Sequence, residues 1–123
     1  MEKGQALITL LFFVIIGITV TSAAVAIIIV NSQNATKFQQ GIIAYAIAES
    51  GAENSLLRLL RDPSYTGETL TIGNGTAIVA VRGVGNAYIA TSSGQIGNAL
   101  RKVQVNATYS NNLLTVTSQK EIF

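Results

Sequence analysis

Few side chains in this sequence are of a kind that does chemistry. None of its 123 residues is a histidine or a cysteine. The commonest acid–base group and every thiolate ligand are therefore missing. Ser50 and Ser55 are hydroxyl nucleophiles with no histidine to activate them, and no motif joins Ser50 to Lys37 as an alternative base. Gly73-Asn74-Gly75 lies between two expected strands and opens no helix, so it is not a phosphate loop. No catalysis, metal site or cofactor is expected. Asn34-Ala35-Thr36, Asn74-Gly75-Thr76 and Asn106-Ala107-Thr108 have the form of glycosylation sequons, but the motif is short and the chain rich in Asn and Thr. Arg82, Arg101, Lys102 and Lys120 would make a basic patch, with Tyr65, Tyr88 and Tyr109 available to stack on bases of single-stranded DNA. A few cations on a small domain are ordinarily a solvated face, and the net charge is only +2.

The more informative segment is the N-terminal one. The leader Met1-Glu2-Lys3-Gly4 ends directly against Gln5 and an apolar run over residues 6–30, and the first charge after Lys3 is Lys37. A helix of about 25 residues at about 1.5 Å each covers the roughly 30 Å core of a bilayer. Only 11% of the chain is charged, against about 25% in soluble domains. Two other readings of this segment remain. It is an ordinary membrane anchor, or a secretory signal cut after Ala24-Val25-Ala26, although residues 27–30 continue the apolar run past that site.

Those positions need elements to hold them. From Phe38 a second helical pattern begins: Phe38, Ile42, Tyr45, Ala52, Leu56 and Leu59 in one row, with Glu49 in a slot of it, and Ile43, Ile47, Leu57 and Leu60 in a neighbouring row. Gly41 and Gly51 weaken this helix by about 1 kcal/mol each relative to alanine. Asp62-Pro63 should end it, and Arg58 and Arg61 suit its C-terminal dipole. The spacing predicts one helix over residues 5–61, bent or loosened near Gly17 or near residues 31–36. Glu49 is expected to be solvated or paired with Arg101 or Lys102.

After Pro63 residues 69–72, 76–82, 88–92, 101–109 and 113–118 read as strands. Turn residues at 73–75, 83–86, 93–98 and 111–112 bound them. Short connections predict an antiparallel meander with one wet face. So small a sheet buries little alone, and the helix over 38–61 is its expected cover, with Leu56, Leu59 and Leu60 facing Val103, Val105 and Tyr109. The expected class is α+β: a long N-terminal helix packed against a small C-terminal antiparallel sheet. The expected divisions are 1–4, 5–62 and 63–123.

A short leader ending in glycine, a membrane-length helix with an amphipathic continuation and an antiparallel head together resemble a type IV pilin or pseudopilin precursor. Gly4-Gln5-Ala6-Leu7-Ile8-Thr9-Leu10-Leu11 is similar to the start of PilX-type minor pilins and of the type II secretion minor pseudopilin K. Ala46-Ile47-Ala48-Glu49-Ser50-Gly51-Ala52-Glu53 resembles the Ala-Glu-Ala/Ser-Gly-x-Glu stretch of PilX-type proteins. The resemblance implies cleavage between Gly4 and Gln5 by a prepilin peptidase and N-methylation of Gln5. It implies a single-span protein of the cytoplasmic membrane, later extracted by an assembly platform into a surface filament with other pilin subunits. Ala6, Leu7, Ile8, Thr9, Leu10, Leu11, Phe12 and Phe13 would then lie first in lipid and later in the filament core.

The sequence departs from the family pattern in three places. Major pilins carry a glutamate where this chain has Thr9, and in the family that carboxylate pairs with a neighbour's terminal amine. An aromatic residue or methionine usually opens the mature chain, where this one has Gln5. A C-terminal disulfide loop is common and here impossible. Lys3-Gly4-Gln5 also resembles archaeal pilin leaders, but Leu7 and Thr9 do not match them. The expected role is a minor subunit in filament initiation and tip display. The alternatives are a major subunit, a type II secretion pseudopilin, and a membrane-anchored or exported binding module.

Overall fold

The structure, a computed structural model, describes residues 2–123. One helix, α1, runs over Glu2–Arg61. Its sequence is aliphatic and alanine-rich without proline, and Glu2 and the pair Arg58 and Arg61 complement the two ends of its dipole. The stop is chemical. The Asp62 amide donates to the Arg58 carbonyl at 2.8 Å, and the Asp62 carboxylate accepts from the Ser64 amide at 3.0 Å and the Ser64 hydroxyl at 2.6 Å. Those bonds hold the Asp62 carboxyl below its ordinary range. The proline that follows cannot extend the helix.

Tertiary contacts divide the chain into two units, one up to Thr36 and one over Lys37–Phe123. In the first, helix forms from Glu2 onward and every described side chain is exposed. Threonine hydroxyls bond back to carbonyls one turn earlier: Thr9 to Gln5 at 2.9 Å, Thr19 to Ile15 at 2.8 Å and Thr21 to Gly17 at 2.7 Å. Such bonds satisfy a hydroxyl without water, as an apolar surround requires.

The second unit carries five strands in the order β1-β2-β3-β4-β5, all antiparallel: Gly67–Ile72, Gly75–Val84, Ala87–Ile96, Ala99–Ser110 and Leu113–Ile122. Every connection is a two-residue hairpin. Gly73-Asn74, Gly85-Asn86 and Gly97-Asn98 recur every twelve residues, and each glycine has φ between +55° and +62°. A first loop residue with positive φ is what a type II′ turn demands. Asn111 and Asn112 both have positive φ, 53° and 62°, as a type I′ turn demands. One bulge interrupts β4–β5 at Asn106/Ala107, where the Thr117 hydroxyl bonds the Asn106 carbonyl at 3.0 Å.

Alternation divides the sheet into two faces. Ala77, Val79 and Val81 of β2, Ala90 and Ser92 of β3, and Val103, Val105 and Ala107 of β4 are buried. Of these, Val79, Val81, Ala90, Val103 and Val105 share one cluster with Ala48, Ala52 and Leu59 of the helix. The fold is therefore α+β, a long N-terminal helix with a five-stranded antiparallel sheet.

Several expectations need correction. Residues 2–4, expected to precede the helix, are helical, and the helix runs unbroken through Gly17 and residues 31–36. All five strands form in their expected order but are longer, because two-residue turns leave more chain for pairing. Residues 93–96 are strand, and the turn there is Gly97-Asn98 alone. The buried stripe of the helix is Ala44, Ile47, Ala48, Gly51, Ala52, Ser55 and Leu59. Of the expected rows Ile47, Ala52 and Leu59 are buried, whereas Phe38, Ile42, Ile43, Leu57 and Leu60 are exposed and Leu56 is only partly buried. Around Ala44, Ala48 and Gly51 the positions are small because the helix and strand backbones approach too closely there for large side chains.

Candidate functional site

Gly4 and Gln5 lie in the first turns of α1, both exposed, and a Cβ added at Gly4 meets nothing within 4 Å. The junction is open to a second protein. The first amides of a helix have no partner within it, so this end frays more readily than the interior. Ala6, Leu7, Ile8, Leu10, Leu11, Phe12 and Phe13 follow on all sides of the helix, and all are exposed. The helix is long and apolar enough to cross a membrane. Thr9 stands among them with its hydroxyl bonded to the Gln5 carbonyl. It offers a neighbour no charge.

The stretch over residues 48–53 splits by function. Ala48 and Gly51 are buried against the sheet. A Cβ at Gly51 would overlap the Ser92 hydroxyl and sit 3.0 Å from the Ala77 Cβ. From the sheet side, a Cβ at Gly94 would strike the Ala44 carbonyl and lie 2.5 Å from the Ala48 amide nitrogen. Glycine on both elements lets helix backbone rest on strand backbone. The Ser50 hydroxyl bonds back to the Ala46 carbonyl at 2.8 Å, and Glu53 is exposed. Glu49 is half-buried and accepts from Gln119 at 3.5 Å. The expected pairing of Glu49 with Arg101 or Lys102 does not form, because Arg101 is engaged elsewhere.

Two polar knots tie helix to sheet. Arg101 binds both carboxylate oxygens of Glu121, reaches the Gly41 carbonyl at 3.3 Å and lies 5.4 Å from the centre of the Tyr45 ring. The Arg101 guanidinium holds the Glu121 carboxyl below its ordinary range. At the other knot Glu68 accepts from Tyr65 at 2.9 Å and Asn54 at 3.0 Å, with Arg58 at 3.4 Å. Burial and the bond to Glu68 push the Tyr65 phenol up to about 12.

The basic and aromatic residues are not brought together. Arg82, Lys102 and Lys120 are exposed and share by register the sheet face turned away from the core. Tyr65 and Tyr88 pack against the core, and Tyr109 follows the buried parity of Val105 and Ala107. On the helix an open apolar groove of about 480 Å³ lies among Ile42, Ile43, Ile47, Ile72 and Ile96. Pattern reading missed it because Ile72 and Ile96 come from strand ends that only the fold places beside the helix.

No family model matches the sequence, and no curated protein or solved structure matches it either.

Proposed function

We propose that the chain is a type IV pilin-like subunit, nearest in kind to PilX-type minor pilins, serving filament initiation and tip display. In this reading the segment behind Gly4-Gln5 anchors the subunit in the cytoplasmic membrane until an assembly platform moves it into a surface filament. One observation carries the reading. The apolar run over residues 6–30 is helical and exposed along its length, and so continuous an apolar surface needs lipid or other helices. The junction preceding it is open, and the same helix continues into a half on which the sheet is built. The sheet is the displayed element. The exposed Phe38, Leu57 and Leu60 and the isoleucine groove offer apolar surface for neighbouring subunits.

Thr9 favours a filament end over the repeating shaft. With its hydroxyl satisfied inside the helix, it supplies no carboxylate for a neighbour's terminal amine in a low-dielectric core.

The mature N-terminus tests the assignment. Gln5, N-methylated, is the expected result. A chain beginning at Ile27 means export by signal cleavage, and one retaining Met1 means an ordinary anchor; either rejects the pilin reading.

A further inference from the structure

The ionic groups of the second unit are segregated by sheet face. Glu68 pairs in register with the buried Val79, and Glu121 with the buried Val103, so both carboxylates belong to the core-facing side. Each is bound there by an arginine, Arg58 and Arg101. The other acidic residues lie on α1 or just past it. The outer face therefore has no carboxylate. It has Arg82 on β2, Lys102 on β4 and Lys120 on β5, all exposed and with no ion-pair partner among the described residues.

Between these cations the face is uncharged and mixed: Ile78 and Ile89 are exposed on it by register, beside side chains that form hydrogen bonds. Thr91, Gln104 and Lys120 are aligned across three strands, and Asn106 stands next along β4. Hydroxyls and amides that both donate and accept match the hydroxyls of a sugar chain. No tyrosine lies on this face, so the stacking that holds single-stranded nucleic acid is not available. Strands about 4.8 Å apart spread the cations over an open surface, which suits an extended polymer better than a small ion.

We propose that the outer face of the sheet is a contact surface for an acidic polysaccharide, with Arg82, Lys102 and Lys120 meeting its carboxylates and Thr91, Gln104 and Asn106 its hydroxyls. The inference concerns the sheet alone and stands whether or not the chain enters a filament. The contact weakens as salt rises, because the cations are solvent-exposed.

The test uses the full chain in neutral detergent micelles, titrated with alginate, a polyuronate. Neutral dextran and oligodeoxythymidylate serve as the comparison polymers. Lys102→Gln/Lys120→Gln should weaken alginate binding by about three- to tenfold, the scale of two exposed charge contacts. Lys37→Gln/Arg61→Gln removes the same charge from the helix and should weaken it by less than about twofold. Arg82→Gln should give an independent loss. Equal loss from both double variants reduces the effect to net charge and overturns the proposal. So does any of three further results: no binding of alginate, dextran bound as tightly as alginate, or oligodeoxythymidylate bound more tightly than alginate.

Discussion

Gly51 of the helix rests directly on Ser92 of β3, whose hydroxyl is fully buried and has no hydrogen-bond partner among the described residues. There is no room for a Cβ at one residue and no partner for the oxygen of the other. Gly51→Ala should cost about 1–3 kcal/mol through overpacking. Ser92→Ala should raise stability by about 1 kcal/mol, because an unsatisfied buried hydroxyl is removed. The two should couple, with the Gly51→Ala penalty smaller by about 0.5 kcal/mol or more in the Ser92→Ala background. Thermal unfolding of the full chain in micelles reads all three. Strict additivity would show that the pair does not touch.

Leu59 and Leu60 are neighbours with opposite fates, 1% and 46% exposed. Leu59 lies in one cluster with Val103 and Val105, so Leu59→Ala should cost about 2–5 kcal/mol. Leu60→Ala should change stability by less than about 0.5 kcal/mol, as exposed substitutions do. Comparable losses from the two would refute the stripe of Ala44, Ala48, Ala52 and Leu59 as the buried one.

The Tyr65–Glu68 contact gives an alkaline limb to stability. The folded phenol titrates at about 12, above the ordinary value of 10.0. A raised folded pKa means that its contribution is complete below the unfolded value and is lost as pH rises through the folded one. The melting temperature should therefore fall between about pH 10 and about pH 12, and Tyr65→Phe should flatten that fall. The Arg101–Glu121 knot acts at the other end. Its carboxyl is held low, so its contribution is present above the ordinary carboxylate range and is lost on acidification through the folded pKa. A Tyr65→Phe protein with an unchanged alkaline limb would assign that limb elsewhere.

On the pilin reading, Gly4→Leu should leave the precursor uncut, since a peptidase that accepts glycine before the scissile bond meets a bulky side chain instead. Intact mass should rise by the whole leader relative to the wild-type mature chain, and the protein should stay in the membrane fraction. An unchanged mature mass would remove Gly4 from the processing site. An antibody to the sheet should label filament ends; uniform labelling along the shaft would make the chain a major subunit.

The sequence by itself determined the elements. An uninterrupted aliphatic run, the Asp62-Pro63 stop, and Gly-Asn or Asn-Asn at each hairpin are local instructions, read through backbone sterics and period without knowing what packs where. Both the α+β class and the strand order were legible for that reason. The face on which the helix meets the sheet was legible only in part. Periodicity placed Ile47, Ala52 and Leu59 correctly but also favoured Phe38, Ile42 and Leu60, whereas the contact adds Ala44, Ala48 and Gly51 instead. That choice depends on the distance between two backbones, set jointly by Gly51 and Gly94, which are far apart in the chain. The same holds for charge. Composition shows a net +2, but only strand register turns Glu68 and Glu121 to one face and leaves Lys102 and Lys120 on the other. A side chain's neighbours across a sheet are fixed by pairing, and pairing is a property of the assembled fold.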